Sequence, residues 1–342
     1  MSHKTTLLVS LIFGGNLFSA CDKPQVAPTS PSNETANYVV STFAGSGQGG
    51  LFDAMGTSAR FTGPTALAID LQNNIYVLDA GNFSIRKITA GGMVTTLAGG
   101  QQGYADGNGA AAQFYNPNAI AADAAGNVYV AEETRIRKIT SVGVVTTIAG
   151  STTQGYADGV GSAALFNSIN SITIDAQGNV IALDKSLPDN RIRMISPSGT
   201  VSTFTTVGIF SSAVVMDAQG NLFLLDAGIL DYSIVKITPS KVSSRFATAP
   251  QGVGMTMSNG SIFLTGYKIE FNLNTASNLY GVYKINNGTT YTLLAGDTQA
   301  GFLDGNASNA QFSGAAGIVA DAQGNLFVAD RDNNRIRKVS RR

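Results

Sequence analysis

The chain has 342 residues, of which 44% are hydrophobic and only 13% charged, and its 22 basic residues balance its 22 acidic ones. This composition excludes a disordered chain and a protein that attracts nucleic acid through its net charge. The 39 glycines, together with few charged helix formers, favour many short strands joined by tight turns. The sequence therefore predicts an all-β fold.

The first 20 residues have the pattern of a targeting segment. Lys4 supplies the basic start, and residues 7–13 form an apolar stretch too short to span a bilayer comfortably. The run FSAC, which ends at Cys21, resembles a bacterial lipobox and implies cleavage before a lipidated cysteine. We therefore expect a lipoprotein signal peptide over residues 1–20 and an exported protein, lipid-anchored on the periplasmic side or at the cell surface. An ordinary signal peptide with an incidental cysteine is the alternative.

Residues 21–37 are predicted to be a flexible tether behind the anchor. The segment after Cys21 contains three prolines among Ser, Thr and Asn, and such a composition cannot build a core. Because Cys21 is the only cysteine, its lipidation would leave no thiol for a disulfide, a nucleophile or a metal. The only histidine, His3, lies in the segment expected to be removed.

Four short strand patterns recur in a fixed order after residue 37. The first pattern occurs six times, as PTALAID (64–70), PNAIAAD (117–123), INSITID (169–175), SSAVVMD (211–217), GVGMTMS (252–258) and AAGIVAD (315–321). Each copy leads through a Gly or Asn turn into a second strand such as GNLFVAD and a third such as RIRKV. The chain therefore contains six copies of one unit.

The fourth strand pattern shows how the six units close into a ring. Copies of the VTTLAG type follow only five units, and the missing copy, VSTFAG, precedes the first unit at residues 40–45. Borrowing this strand seals the last unit against the first. We predict a six-bladed β-propeller over residues 38–342, built of four-stranded antiparallel blades, in which the N-terminal strand completes the last blade.

The run GNLFVADRDNNRIRKV and its partner VTTLAG resemble the NHL-repeat family over residues 38–342. Blade 5 departs from the pattern, because Ser258 and Gly266 replace its aspartates and residues 268–278 form an insertion. The resemblance implies a six-bladed propeller that serves as a recognition platform. Some relatives of this fold are enzymes, so the fold does not decide the function.

The predicted upper face of the ring carries loops of unequal length. This face holds the connections that enter each blade and those between second and third strands. The loops entering blades 6, 1, 2 and 3 have 17 or 18 residues, whereas those entering blades 4 and 5 have 4. We predict that a ligand lies across this low side, formed by blades 4 and 5 with the blade 5 insertion. Drift of loop length without function is the alternative.

The candidate ligand-binding residues follow from this geometry. They are Asp184, Asp226, Asp231, Tyr267, Lys268, Glu270 and Phe271 on the upper face, and Asn118 and Asn170 at the mouth of the central well. Arginines follow the acidic residues of the second-to-third strand loops, so local ion pairs are the default explanation for those acids. A cation or a polar ligand is the alternative there.

Three long loops share a motif that begins GYADG at residues 103 and 155 and GFLDG at residue 301. Calcium needs six or more oxygen ligands, and no acidic residue recurs at a suitable spacing. Asp-Gly favours a turn, and the repeated aromatic rings can be buried to hold the loop down. We therefore predict a structural role for the motif and no metal.

A mature chain without histidine cannot supply the zinc ligands of amidating-lyase relatives or the bases of arylesterase-like relatives. We predict a non-catalytic monomer, without cofactor, that binds a protein, peptide or glycan of the envelope or the exterior. Its membrane contact would be the lipid, and nucleic acid is not an expected partner. The alternative is a metal-dependent gluconolactonase-like hydrolase, or a streptogramin-lyase-like enzyme, with Asn118 and Asn170 in the central well.

Overall fold

The structure, a computed structural model, describes residues 35–228, 232–272, 275–286, 288 and 290–342. For residues 36, 269–272 and 275–279 only the backbone is described. The predicted signal peptide, the lipidation site Cys21, most of the predicted tether and Asp231 lie outside the described residues.

Each repeat forms strands because its apolar segments alternate with polar positions and are separated by Gly, Asn or Asp turns. In chain order the strands are β1 (Tyr38–Ala44), β2 (Pro64–Ile69), β3 (Ile75–Asp79), β4 (Ser84–Ile88), β5 (Val94–Gly99), β6 (Gly107–Asn108), β7 (Ala119–Ala122), β8 (Val128–Glu132), β9 (Arg135–Ile139), β10 (Val144–Gly150), β11 (Gly159–Val160), β12 (Ile169–Ile174), β13 (Val180–Asp184), β14 (Asn190–Ile195), β15 (Thr200–Val207), β16 (Ser211–Met216), β17 (Leu222–Ala227), β18 (Tyr232–Ile237), β19 (Ser243–Ala249), β20 (Gln251–Ser258), β21 (Ser261–Asn272), β22 (Thr275–Ile285), β23 (Tyr291–Asp297), β24 (Gly305–Asn306), β25 (Ala315–Ala320), β26 (Leu326–Asp330) and β27 (Arg335–Arg341).

Short 3-10 turns are the helical elements of the described ranges. They are Thr35–Asn37, Gly56–Ser58, Ala80–Asn82, Gly109–Ala111, Gly161–Ala163 and Arg331–Asn333. Across these ranges, no helix has the length and apolar character needed to cross a bilayer.

The strands form six antiparallel sheets, which are the six predicted blades. From the innermost strand outwards, the blades are β2-β3-β4-β5, β7-β8-β9-β10, β12-β13-β14-β15, β16-β17-β18-β19, β20-β21-β22-β23 and β25-β26-β27-β1. Blades 2, 3 and 6 carry one additional two-residue strand, β6, β11 or β24, on the outer edge. The predicted six-bladed architecture is therefore confirmed, with three outer edges covered by strands that the repeat pattern did not show.

The N-terminal strand completes blade 6, as predicted. Strand β1 pairs antiparallel with β27 through Val40 and Val339 and through Thr42 and Arg337, with a bulge before Ala44. The ring is thus closed by main-chain hydrogen bonds between the two ends of the propeller.

Three described residues before the predicted boundary at Tyr38 contact the propeller. Thr35 is only 4% exposed, and its hydroxyl donates to the carbonyl of Leu293 at 3.3 Å. The N–H of Arg342 donates to the carbonyl of Asn37 at 2.9 Å. Residues 35–37, assigned to the tether from composition alone, therefore belong to the seam of the ring.

The hydrophobic core is divided into six clusters, each lying between two neighbouring blades. Between blades 2 and 3, for example, Ala131 and Ile136 pack with Phe166 and Ile172. The second-strand apolar residues lie in these clusters, so their predicted role in blade packing is confirmed. Each large side chain buried in this way contributes about 1.5–3 kcal/mol.

The innermost strands approach one another closely at the centre of the ring. A Cβ atom on Gly317 would lie 2.7 Å from the Cα atom of Ala66 on the neighbouring blade. Glycine at this position allows two backbones to meet where a larger residue would force them apart.

Candidate functional site

Four buried arginines connect the upper face to the blades. Arg86, Arg137, Arg193 and Arg337 lie on the third strands of blades 1, 2, 3 and 6, and their side chains are fully buried. Each donates to the carboxylate that ends the preceding strand. The N···O distances are 3.0 Å to Asp79, 3.2 Å to Glu132, 2.9 Å to Asp184 and 2.7 Å to Asp330. The local ion pairs predicted for these acids are confirmed.

The same arginines hold the long loops, as blade 3 illustrates. Arg193 donates to Asp158 of the loop motif at 2.9 Å and to the carbonyls of Ala157 and Leu165 at 2.8 and 3.1 Å. Asp158 also accepts the N–H and the hydroxyl of Thr203 on the fourth strand, at 3.0 and 2.9 Å. Together these contacts lower the pKa of Asp158 although its burial acts in the opposite direction. The motif aspartate is therefore a structural clamp.

The clamp and the long loop occur together around the ring. Asp53, Asp106 and Asp304 contact the arginines of their own blades at 2.6 to 2.7 Å. Blades 4 and 5 place Val235 and Tyr283 at the arginine position. Their entry connections are also short, comprising residues 208–210 and residue 250. The upper face is therefore high and pinned over blades 6, 1, 2 and 3 and low over blades 4 and 5.

The aromatic rings of the long loops divide into two groups. The inner group, Phe61, Phe114, Phe166 and Phe312, is fully buried. The outer group is 42 to 43% exposed, which differs from the expected burial of both groups. In that group Tyr104, Tyr156 and Phe302 lie under Arg135, Arg191 and Arg335, with 4.2, 3.4 and 3.8 Å from guanidinium carbon to ring centroid. Cation–π contact thus replaces burial in the outer group.

Asp184 is the predicted ligand-binding residue most firmly engaged by the protein. One oxygen accepts the N–H groups of Asn167 and Ser168 at 2.9 and 3.0 Å, and the other accepts from Arg193. Burial raises the pKa of the Asp184 carboxyl, and these hydrogen bonds offset only part of the effect. A perturbed carboxyl often marks a functional site. Here the perturbation has a structural cause, and the position gives no support to a ligand-binding role for Asp184.

The innermost strands enclose a central well with a volume of about 910 Å³. Asn118 and Asn170 line it, as predicted. The Asn118 amide donates to the carbonyl of Ile169 at 3.2 Å, and the Asn170 carbonyl oxygen accepts from the Ser168 hydroxyl at 3.1 Å. Both amides are therefore partly engaged in holding the rim of the well.

The residues around the well do not fit a catalytic divalent cation. Glu133 is the only carboxylate among the lining residues, where the other charged side chains are Lys185 and Arg331. Within the described part of the chain, no group of three His, Cys, Asp or Glu side chains could hold a metal ion. A hard cation requires six or more oxygen ligands, usually with several carboxylates. Among the described lining residues, a hard cation would therefore find one carboxylate, with the amides of Asn118 and Asn170 as neutral oxygen donors.

The low side contains the extended hairpin of blade 5. Strands β21 and β22 pair continuously as far as Asn272 and Thr275. In blades 1, 2, 3 and 6 the second strand ends at the position of Gly266, and in blade 4 it ends one residue later. Relative to the first four, the extension of blade 5 adds six residues, or roughly 20 Å. The sequence insertion is therefore a continuation of the blade.

Four of the remaining predicted residues lie on the first strand of this hairpin. Tyr267 and Lys268 begin the extension, and the Tyr267 ring lies 5.8 Å from that of Tyr280 between centroids. Glu270 and Phe271 lie on the same strand, where only the backbone is described. Asp226 is half-buried near the upper end of blade 4. Asp231 lies outside the described residues.

A cavity that the sequence pattern did not predict lies between the upper loops of blades 2 and 3. Its volume is about 350 Å³, and its walls include Tyr104, Tyr115, Glu132, Glu133 and Gln154. The available signal was the short turn between the second and third strands of blade 2, where only residues 133–134 separate β8 from β9. We call this cavity the Tyr104 pocket.

Two segments of the chain match models of a known repeat. Residues 103–159 match the Teneurin NHL domain, and residues 312–339 match the NHL repeat. The NHL-type resemblance noted from the strand patterns is confirmed for these two segments. The structure shows the six repeats of the chain arranged as a ring of six blades.

Solved structures with the fold of this NHL propeller include binding proteins and enzymes. An auxiliary nutrient binding protein from Bacteroides thetaiotaomicron is 14% identical with a TM-score of 0.59, and the match covers 89% of this chain and 76% of that one. A gluconolactonase from Xanthomonas campestris is 14% identical with a TM-score of 0.55, covering 92% and 94%. A catalytically inactive histidine-to-alanine variant of virginiamycin B lyase from Staphylococcus aureus, solved with quinupristin, is 14% identical with a TM-score of 0.54, covering 89% and 99%. Identities this low show a shared fold alone.

Among curated proteins, none matches this NHL propeller significantly.

Proposed function

We propose that this NHL propeller is a non-catalytic recognition platform that binds a protein, peptide or glycan through its upper face. The observation that carries the proposal is the uneven rim. Long loops clamped by Arg86, Arg137, Arg193 and Arg337 stand beside a low side from which the blade 5 hairpin extends. In the same proposal, a lipid on Cys21 holds the monomer in the cell envelope.

The clamped loops favour binding because they are ordered before a partner arrives. Ordering a loop or a side chain at an interface consumes part of the interaction free energy. A loop whose aspartate and carbonyls already bind a buried guanidinium avoids most of that loss. The clamps on blades 6, 1, 2 and 3 therefore provide a fixed wall beside the low side.

The low side supplies the type of side chain that anchors binding interfaces. Tyr267 and Tyr280 place two rings at the base of the extended hairpin, with Lys268 beside them. Tyrosine contributes a large contact area at a low cost in conformational entropy, because its side chain has only two rotatable bonds, and it is enriched at binding hot spots. A partner that crosses blades 4 and 5 would meet these side chains first.

The catalytic alternative has less support from the residues present. The lyase relative is described as catalytically inactive when one histidine is replaced by alanine, and this chain contains no histidine after His3. The gluconolactonase alternative would rely on Asn118 and Asn170, but among the described residues that line the well Glu133 is the only carboxylate. Lactone hydrolysis that depends on added calcium or zinc and is lost in Asn118→Ala would contradict the binding role.

The proposal is tested by shortening the hairpin. Replacing residues 269–278 by Asn-Gly leaves Lys268 and Leu279 on either side of a two-residue turn, which suits a hairpin. Capture of partners from an envelope extract by the purified protein is expected to be lost. The melting temperature is expected to stay within about 2 °C, because the replaced residues lie beyond the last pair between β20 and β21, Gln251 with Tyr267.

The matched control is Leu71→Ser on the opposite face. Leu71 lies in the turn between the first two strands of blade 1 and is 75% exposed. This variant is expected to capture the same partners as the wild type. Unchanged capture by the shortened protein would overturn the proposed role of the low side.

A further inference from the structure

The Tyr104 pocket results from a change in one repeat. In blade 1, Asn82 in the turn after β3 donates to Asp79 at 2.7 Å and to the carbonyl of Gly50 in the long loop at 3.0 Å. Asn333 makes the same two contacts in blade 6. The corresponding turn of blade 2 consists only of residues 133–134, so the asparagine is missing there.

The missing asparagine leaves a buried carboxylate incompletely paired. Glu132 is 1% exposed, and its Oε1 atom accepts the Tyr115 N–H at 2.8 Å and Arg137 at 3.2 Å. Its Oε2 atom has no hydrogen-bond partner in the protein. The nearest cationic atom is Nε of Arg135, at 3.5 Å. Glu132 is among the residues that line the pocket.

Donors that lack a partner lie beside that acceptor. Arg135 is 6% exposed, and neither its Nε nor its Nη2 atom has a hydrogen-bond partner. Its counterpart in blade 6, Arg335, donates to the carbonyl of Ser46. In blade 2 the equivalent carbonyl of Ser151 accepts the Thr134 hydroxyl instead, at 2.6 Å. Buried polar groups are normally paired, and leaving them unpaired is unfavourable.

The combination of groups selects the chemistry of the occupant. A hydroxyl group can donate to Glu132 and accept from Arg135 at the same time. An anion would be repelled by Glu132 and Glu133, and the Arg135 guanidinium, 3.5 Å from Glu132, weakens the attraction of these carboxylates for a cation. The rings of Tyr104 and Tyr115 stack with a tilt, 4.8 Å apart between centroids, and add an aromatic part to the wall. Adjacent hydroxyls on one edge and an apolar C–H face on the other describe a sugar ring.

We propose that the Tyr104 pocket is a saccharide-binding site that takes a neutral sugar residue. The volume of about 350 Å³ lies at the lower end for small-molecule pockets and suits one or two rings of a chain. The pocket lies between blades 2 and 3, apart from the low side. It is therefore independent of the proposed function and can fail or succeed separately.

Calorimetric titration of the full protein with defined oligosaccharides tests the proposal. The neutral probes are maltohexaose, cellohexaose, xylohexaose and mannohexaose, and the charged counterparts are oligogalacturonate and arginine amide. At least one neutral probe is expected to bind with a micromolar to millimolar Kd, and the charged probes are not expected to bind.

Two variants assign that binding to the pocket. Replacing Glu133 and Thr134 by the blade 1 turn Ala-Gly-Asn-Phe restores the asparagine and is expected to abolish sugar binding. Tyr115→Thr introduces the residue that blade 1 carries at the same position and is expected to weaken binding at least roughly tenfold. Tyr156→Ala is the matched control, because Tyr156 is as exposed as Tyr104, at 43%, but lies outside the pocket. It is expected to leave the Kd unchanged.

Several results would overturn the assignment. These are no binding of any neutral probe, binding that survives both the turn replacement and Tyr115→Thr, or binding of arginine amide or oligogalacturonate in place of the neutral sugars. The protein with the shortened blade 5 hairpin retains the pocket, so it is expected to bind the sugar with the wild-type Kd. Loss of partner capture with retained sugar binding therefore separates the two proposals.

Discussion

Replacing Arg193 by methionine is expected to lower the free energy of unfolding by about 3–5 kcal/mol, the range for breaking a buried ion pair. The Arg193 side chain is fully buried and donates to Asp184, to Asp158 and to the carbonyls of Ala157 and Leu165. Methionine keeps an unbranched apolar stem but provides no donor.

The magnitude is determined mainly by Asp184. Its side chain is fully buried, so the variant would leave a carboxylate that water cannot solvate, held only by two backbone N–H groups. Asp158 has a side chain that is 49% exposed, so water can replace its lost contact. Asp158→Ala is therefore expected to reduce stability by only about 1 kcal/mol, as for an ordinary hydrogen bond.

The assay is urea unfolding at neutral pH, combined with limited proteolysis of the long loop at residues 155–167. Arg191→Met is the control, because the guanidinium carbon of Arg191 lies 3.4 Å from the ring centroid of the partly exposed Tyr156. Loss of this contact is expected to lower the free energy of unfolding by less than about 1 kcal/mol. Faster cleavage of the loop is expected in Arg193→Met and in Asp158→Ala. The clamp interpretation would be refuted if Arg193→Met destabilised the protein no more than Arg191→Met.

Two further predictions concern ring closure and alkaline pH. Val40→Asp places a carboxylate at a position that is 2% exposed, so it is expected to lower the free energy of unfolding by roughly 3 kcal/mol or more. Unchanged urea unfolding would contradict a closing role for β1. Burial, and then the nearby Asp123 carboxylate, raise the pKa of Tyr129 to about 12. An unfolded tyrosine ionises near pH 10, so stability present below pH 10 is lost as the pH rises through 12, by roughly 2–3 kcal/mol. This alkaline loss is expected to be smaller in Tyr129→Phe, and an equal loss would count against the shift.

The blades and their closure could be predicted because every unit has to bury the faces of its sheet against the two neighbouring sheets. Each sheet must cover its neighbours with alternating apolar residues, so the strand patterns recur at nearly constant spacing. One copy of the fourth-strand pattern precedes the first unit, and no copy follows the last unit. Pairing of Val40 with Val339 follows from that imbalance.

The partners of the long-loop aspartates could not be read from local spacing. Strands β11, β12 and β13 separate Asp158 from Arg193, and their contact depends on how the loop folds back over its own blade. For the same reason the sequence leaves Asp184 both as a candidate ligand-binding residue and as a member of a local ion pair. The acidic pattern was visible, but the donors that surround each acid were not.

The Tyr104 pocket was missed because it depends on a side chain that is absent. The sequence shows that the blade 2 turn is short, but not what the longer turns contribute. The contacts of Asn82 in blade 1 and Asn333 in blade 6 show which interaction blade 2 lacks. The pocket therefore reflects a difference between repeats of one chain, which no single motif shows.

Site-specific photocrosslinking addresses the binding role most directly. A photoreactive amino acid at position 267 reports contact with the low side, and one at position 71 reports contact with the opposite face. Covalent adducts with the same partner are expected from position 267 and not from position 71. Adducts from position 71 alone, or equal adducts from both, would contradict recognition through the upper face.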